Sequence, residues 1–240
     1  DIVMAVDISG SMIAEDLKPN RLEAAKSVGA EFIASRPNDN IGLVVFAGES
    51  FTQSPLTSDK TALVGLMNSI SNDMISEDGT AIGMGLANAV NRIKESQAKS
   101  KVIILLTDGS NNRGEIDPLT AAELAKAYNI RVYTIGVGTK GQAPYPVRTV
   151  FGVQRQMVPV DIDENTLQAI ADKTNGQYFR ATDNKTLKAI YKEIDQLEKT
   201  KIQVTEYSKK QEEYLPYAIA ACILLLLEIL LRNTILRHIP

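Results

Sequence analysis

Three short stretches place oxygen-bearing side chains where an ion could be held. Residues 3–12 read VMAVDISGSM, an apolar run that ends on Asp7 and passes to Ser9 and Ser11 across Gly10. Residues 105–112 read LLTDGSNN and end another apolar run on Asp108. Residues 76–83 read SEDGTAIG and put Thr80 in a loop that leads into a helix. The chemistry open to such a set is cation capture. Carboxylate and hydroxyl oxygens are hard ligands that suit Mg²⁺, Mn²⁺ or Ca²⁺, and the octahedral demand of Mg²⁺ fits a small, partly hydrated site. The expectation is that Asp7, Ser9, Ser11, Thr80 and Asp108 hold one divalent cation, Mg²⁺ first, with Mn²⁺ and Ca²⁺ as alternatives. If the hydroxyls bind directly and the carboxylates act through water, the ion keeps an open position that attracts a carboxylate from a partner. Gly10 is expected to permit the sharp bend this needs. Taken alone, Ser9-Gly10-Ser11 reads as a tight turn with local hydroxyl-to-backbone bonds. The metal reading rests on Thr80 and Asp108 lying in two further loops.

Those loops need a scaffold that brings them together. Buried strands are expected over 2–6, 41–47 (IGLVVFA), 102–106 (VIILL) and 131–137, with a short edge strand at 51–53 and another strand at 177–181. Helices are expected over 21–35, 60–70, 81–94, 119–128, 164–173 and 185–197. Asn20 with Glu23 makes a capping-box-like start to the first of them. The β-α-β-α alternation predicts an α/β fold, a doubly wound and mostly parallel sheet with helices on both faces. Continuously apolar strands fit a sheet covered on both sides. In such sheets ligands bind beyond the carboxyl ends of the strands, where strand order reverses. Residues 138–160 break the rhythm and read as an inserted hairpin or loop. Asp78 is expected to be a turn residue, Asn111, Asn112 and Arg113 border the rim, and Gly83 and Gly85 let their helix pack closely.

The remaining sequence bounds the function. The chain has 240 residues, and its net charge of −3 gives no electrostatic case for nucleic acid. One cysteine, Cys222, excludes an internal disulfide. The chain starts at Asp1 on strand-like residues, so it is read as a fragment lacking upstream residues. The domain is expected over 1–198, followed by a polar stalk over 199–214, a transmembrane helix over 215–231 (LPYAIAACILLLLEILL) and a short tail over 232–240. At about 26 Å as a helix, 215–231 is near the short end for a bilayer span. Tyr214 and Tyr217 flank one end, and Arg232 and Arg237 the other. Glu228 is expected to pair with Arg232 at i+4, Cys222 to be a small apolar helix residue, and His238 to be solvated.

DISGSM, DGT and LLTDGS resemble the metal-ion-dependent adhesion site of von Willebrand factor A domains. The resemblance runs from about residue 1 to 197. It implies Ser9, Ser11 and Thr80 as direct or near-direct oxygens, with Asp7 and Asp108 mainly water-mediated. APYPV, GSNNRGEIDP and VDIDENTLQAIADKTNGQYFRATDNKTL further resemble the membrane-anchored, aerotolerance-related BatA-like bacterial subgroup. That resemblance implies a non-enzymatic interaction domain on a bacterial inner membrane, linked to stress or oxygen tolerance. It implies a periplasmic placement, although a raw Lys and Arg count leans the other way. It also implies partners among other Bat proteins and a MoxR-type AAA ATPase. The alternative is a Mg²⁺-dependent phosphoryl-transfer enzyme with Asp7 as nucleophile. Such chemistry wants a second acid two residues on, where this chain has Ser9, and its one histidine is distal.

Overall fold

Apolar runs without polar alternation become strands buried on both faces. In chain order the elements are β1 (Ile2–Asp7), α1 (Arg21–Ala34), β2 (Ile41–Phe46), β3 (Ser50–Thr57), α2 (Lys60–Asn68), α3 (Ile82–Ile93), β4 (Val102–Thr107), α4 (Pro118–Ala127), β5 (Arg131–Val137), β6 (Gln142–Thr149), β7 (Gly152–Pro159), α5 (Glu164–Lys173), β8 (Tyr178–Ala181) and α6 (Asn184–Lys209). Short 3₁₀ turns lie at Gly10–Ile13 and Asn72–Met74. The computed structural model describes residues 1–149, 152–160, 162–209, 217–221, 224, 225 and 228. The chain divides into two compact units, Asp1–Glu198 and Lys199–Pro240.

The first unit is built on a mixed, six-stranded sheet of order β3-β2-β1-β4-β5-β8. β1 pairs in parallel with both β2 and β4, and β3 is an antiparallel edge strand on β2. The chain therefore builds outward from β1 in one direction and from β4 in the other. The point where the order reverses lies between β1 and β4, which is where open α/β sheets place their ligands. Alternate residues of β1 serve opposite faces. Ile2, Met4 and Val6 join Val28 and Phe32 of α1, Leu63 and Met67 of α2, and Leu187 and Ile190 of α6. Val3 and Ala5 join Leu86 and Ala89 of α3, Ala121 and Ala125 of α4, and Leu167 of α5.

Local chemistry fixes the helix starts. Asn20 accepts from the Glu23 N–H, Asp59 from the Ala62 N–H and Asp163 from the Thr166 N–H, each satisfying a backbone donor left open at a helix start. Gly85 of α3 allows a close approach to the sheet, since a Cβ there would lie 2.6 Å from the Phe46 ring. Gly83 does the same toward the α4 loop, where a Cβ would meet the Ile116 carbonyl oxygen at 1.9 Å.

Several features differ from the sequence expectation. β3 is longer than the short edge strand expected at 51–53, because its edge position tolerates Pro55, whose missing N–H would break a central ladder. Gly10 has no positive φ, and the bend after β1 is made by the 3₁₀ turn instead. α6 continues to Lys209, into the stretch expected to be a stalk.

The expected transmembrane helix is the main correction. Of residues 215–231 the structure describes 217–221, 224, 225 and 228, which are helical and exposed. Among the described residues no helix is long and apolar enough to cross a membrane. The single C-terminal span is therefore not supported, nor is the inner-membrane placement with a periplasmic domain that depended on it. The physical reason is visible in the run itself. Its 17 residues are at the short end of the range for a bilayer span, and Glu228 puts a carboxylate within it. The expectations for Cys222, Arg232, Arg237 and His238 lie outside the described residues.

Candidate metal centre

Asp7 and Asp108 leave adjacent strands at the reversal point. Asp7 is the last residue of β1 and is 0% exposed, and Asp108 follows β4 and is 2% exposed. Asp7 Oδ1 accepts from the Ser9 N–H at 2.8 Å, and its Oδ2 accepts from the Thr107 hydroxyl at 2.5 Å. The 3₁₀ turn then swings Ser9 and Ser11 back over the strand ends. Their hydroxyl oxygens lie 3.0 Å apart, and Ser11 Oγ donates to Asp108 Oδ1 at 2.6 Å. Asp7, Ser9, Ser11 and Asp108 thus form one continuous hydrogen-bonded chain.

Thr80 arrives from the loop before α3. Asn112 holds that loop against the β4 end: its Oδ1 accepts from the Thr80 N–H at 2.8 Å, and its own N–H donates to the Thr80 carbonyl at 3.0 Å. A Cβ at Gly109 would stand 3.3 Å from Thr80 Oγ1, so the hydroxyl sits directly against the residue after Asp108. Gly79 takes a φ of +111°, a conformation that side chains disfavour, and sets the turn. Asp78 accepts from the Gly79 N–H and is exposed, as a turn residue should be. All five expected side chains converge on one rim. A cavity of about 380 Å³ opens there, lined by Ser11, Thr80 and Asp108 together with Tyr145 and Val158.

Arg21 belongs to this site and lies outside the five residues expected from sequence. It is the first residue of α1 and 3% exposed. Nη1 donates to Asp108 Oδ2 at 2.7 Å, while Nε and Nη2 donate to the two oxygens of Asp16 at 2.7 and 2.6 Å. Asp16 also accepts from the Thr139 N–H and hydroxyl. A signal for Arg21 did exist in the sequence. A cation in the first helical turn opposes the helix dipole, so it needs a local anion. Thr107, beside Asp108, is likewise outside the expected set, although its hydroxyl donates to Asp7.

The rim carboxyls are shifted in different directions. Burial, and then the Asp108 carboxylate, push Asp7 up to about 7 against the hydrogen bonds from Ser9 and Thr107. Burial also raises Asp108, opposed by Arg21 and Ser11. Burial raises Asp16 too, but the hydrogen bonds and charge of Arg21 and the hydrogen bonds from Thr139 overcome it and hold the carboxyl at about 2. Arg21 pairs with Asp16 and Asp108 while Asp7 takes hydrogen bonds from Ser9 and Thr107, so with all three acids ionised these four groups carry a net charge of −2. Buried charge of that kind is costly unless paired, and one divalent ion would balance it. Among the described residues no group of three or more His, Cys, Asp or Glu side chains is gathered to hold a metal. The rim offers two carboxylates and three hydroxyls, an all-oxygen set that fits a hard divalent cation. The same set of residues disfavours Asp7 as a phosphoryl nucleophile. The position two residues on, which would need an acid, carries Ser9.

The von Willebrand factor type A domain family matches residues 1–193. A protein of Borreliella burgdorferi is 30% identical over 244 residues, covering all of this chain and 70% of that protein. The chain spans less of its actinobacterial relatives, 62% in the case of one from Nocardia farcinica that is 32% identical over 214 residues, or 81% of this chain. Among solved structures, BatB from Bacteroides thetaiotaomicron is 36% identical with a TM-score of 0.68, over 82% of this chain and 98% of that one. An aerotolerance-related membrane protein from Bacteroides fragilis is 33% identical with a TM-score of 0.69, over 81% and 96%. Proximal thread matrix protein 1 of the mussel byssus, in a form described as having a zinc-occupied MIDAS motif, is 25% identical with a TM-score of 0.63, over 82% and 45%. Domains of this kind are adhesion and interaction modules rather than catalytic enzymes, and they engage protein partners through the domain surface. The chain belongs to the von Willebrand factor type A domain family and is closely related to its BatB and aerotolerance-associated members.

Proposed function

We propose that this domain binds a protein partner through a divalent cation held by Asp7, Ser9, Ser11, Thr80 and Asp108. The observation that carries the reading is the hydrogen-bonded chain from Asp7 through Ser9 and Ser11 to Asp108, at the mouth of a cavity. When bound, the ion supplies an electrophilic position for a carboxylate oxygen from the partner. The protein's own part is to position the donors. Thr107 and the Ser9 N–H fix Asp7, Asn112 fixes Thr80, and Arg21 fixes the outer oxygen of Asp108. The zinc-occupied motif reported for the mussel byssus protein of the same fold supports this reading. Mg²⁺ is the proposed ion, with Mn²⁺ and Ca²⁺ as alternatives. The proposed partners are proteins that present an acidic side chain, with other Bat proteins and a MoxR-type AAA ATPase as the candidates the family relation supplies. The link to oxygen tolerance is carried by the relation to the Bacteroides fragilis protein.

A thermal melt of the full chain tests the ion. Mg²⁺ or Mn²⁺ at a hundred times its dissociation constant adds about 2.7 kcal/mol to a site that binds only the folded state. The melting temperature of the wild-type chain should therefore climb with added ion, and that of Asp7→Ala should not. A wild-type curve that stays flat up to millimolar ion overturns the proposal.

A further inference from the structure

The β6–β7 hairpin is not used by the cation site itself, yet it forms part of the wall of the same cavity. Tyr145, Val158 and Pro159 of the hairpin, with Val160 just after it, line the cavity together with Ser11, Thr80 and Asp108. The hairpin is fixed in place. The Glu15 N–H donates to the Pro144 carbonyl at 2.8 Å, and Glu15 pairs with Arg155 at 2.5 Å. At its root, the Val160 N–H donates to the Gly141 carbonyl at 2.9 Å, and Ala143 is fully buried. Asp16, which grips Arg21 on the rim side, also takes two hydrogen bonds from Thr139 just before β6. Wall and rim are therefore held at a set spacing by the segment between β1 and α1.

Tyr145 is the polar group this wall offers. A Cβ on Gly10 would come within 3.6 Å of its hydroxyl oxygen, so the phenol reaches over the Ser9–Ser11 turn. By contrast, the Arg21 guanidinium donates to Asp108 and Asp16. Beside Tyr145 the wall is apolar, through Val158, Pro159 and Val160. A space of about 380 Å³ is at the small end of ligand clefts, roughly 300–1,000 Å³. Hairpin side chains line the cavity beside the rim residues, so a side chain on a single extended segment has less to clear on its way to the rim than a broad protein face.

We propose that the β6–β7 hairpin restricts this site to an acidic side chain on an extended segment with an apolar neighbour, Tyr145 donating to the carboxylate and Val158–Val160 receiving the neighbour. The inference rests on the cation-site reading above and adds the partner's form to it. The test uses the full chain with saturating Mg²⁺ and seven-residue peptides blocked at both ends, titrated by NMR. The peptides carry a central Asp beside Leu, a central Asp beside Ser, or a central Asn beside Leu. A fourth, blocked at its N-terminus alone, has no acidic side chain and ends in a free carboxylate. Mn²⁺ binding is followed separately by EPR.

The Asp–Leu peptide should bind most tightly and lose binding in EDTA. Tyr145→Phe should weaken it about tenfold, as expected for loss of a hydrogen bond to a charged group, with Mn²⁺ binding unchanged. Val158→Ser should erase the preference for Leu over Ser while leaving the preference for Asp over Asn, a change in selectivity that mere loosening of the fold does not produce. If Mn²⁺ binds but Tyr145→Phe matches the wild type and the Leu preference survives Val158→Ser, the hairpin proposal is overturned and the cation site stands. Preferred binding of the free-carboxylate peptide overturns it as well. If the wild type binds no Mn²⁺, the cation site fails and the hairpin proposal fails with it.

Discussion

Arg21 shows how one residue sets the character of the rim. Its guanidinium makes a bidentate pair with Asp16 and a single contact with Asp108, with all three side chains at most 3% exposed. Removing one partner of a buried pair leaves uncompensated charge, which costs about 3–5 kcal/mol. Arg21→Gln should therefore lower unfolding stability by about that amount in a urea titration. A loss under about 1 kcal/mol, typical of an exposed pair, would mean the network is not closed as described. The asymmetry of Asp108 also follows from Arg21. One carboxylate oxygen is committed to the guanidinium and the other accepts from Ser11, so the acid is oriented from both sides.

At the scale of the element, α3 is placed by what its glycines lack. Gly83 lies so close to the loop before α4 that a Cβ would overlap the Ile116 carbonyl, a backbone atom with little freedom to move. Gly83→Ala should destabilise by about 2 kcal/mol through overpacking. It should also disturb the Thr80 loop, which enters α3 through Ala81. Gly65 in α2 has nothing within 4 Å of a built Cβ and is exposed. Gly65→Ala should accordingly stabilise by about 0.5–1 kcal/mol from helix propensity alone. Paired chemical denaturation curves check both signs, and equal effects at the two positions would contradict the packing described for α3. The β6–β7 hairpin belongs to this scale too, since its two strands pair only with each other.

At the scale of the whole domain, a second polar cluster closes the end of the first unit. Glu198 is 3% exposed and accepts from Arg131, from the Tyr133 hydroxyl at 2.6 Å and from the Ser100 hydroxyl at 2.8 Å. Burial raises its carboxyl, but the bonds from Arg131 and Tyr133 and the Arg131 charge win and hold it below the ordinary range. A carboxylate lowered by folding contributes stability above its unfolded value, about 4.3, and loses it as pH falls through the folded value. The wild type should therefore lose stability on acidification below about pH 4.3, and Glu198→Gln should show a smaller loss over the same range. Melts recorded from pH 7 to pH 3 measure the difference, and identical slopes would remove Glu198 from the account. The family match stops at residue 193, yet Ile194 and Glu198 are buried, so the physical unit runs a further turn of α6.

The sequence by itself determined the sheet, the helices and the order of the rim residues. Strands such as 102–106 are apolar throughout, and only a doubly covered strand tolerates that. Caps such as Asn20 act over three residues, so they too are written locally. Asp7, Ser9, Ser11, Thr80 and Asp108 could be nominated because three short stretches each carry oxygen-bearing side chains where an apolar run ends or a helix is about to begin. What the sequence did not determine is anything that depends on long-range pairing. Arg21 reaches Asp108 across 87 positions, and Tyr145 lies over the Ser9–Ser11 turn on a hairpin whose Pro144 carbonyl accepts from the Glu15 N–H. The apolar run at 215–231 is the converse case. Its composition suggested a membrane span, yet no helix of sufficient length and apolarity exists among the described residues. Composition reports which surfaces need covering, and only tertiary structure decides what covers them, because distant groups meet through the packing of whole elements.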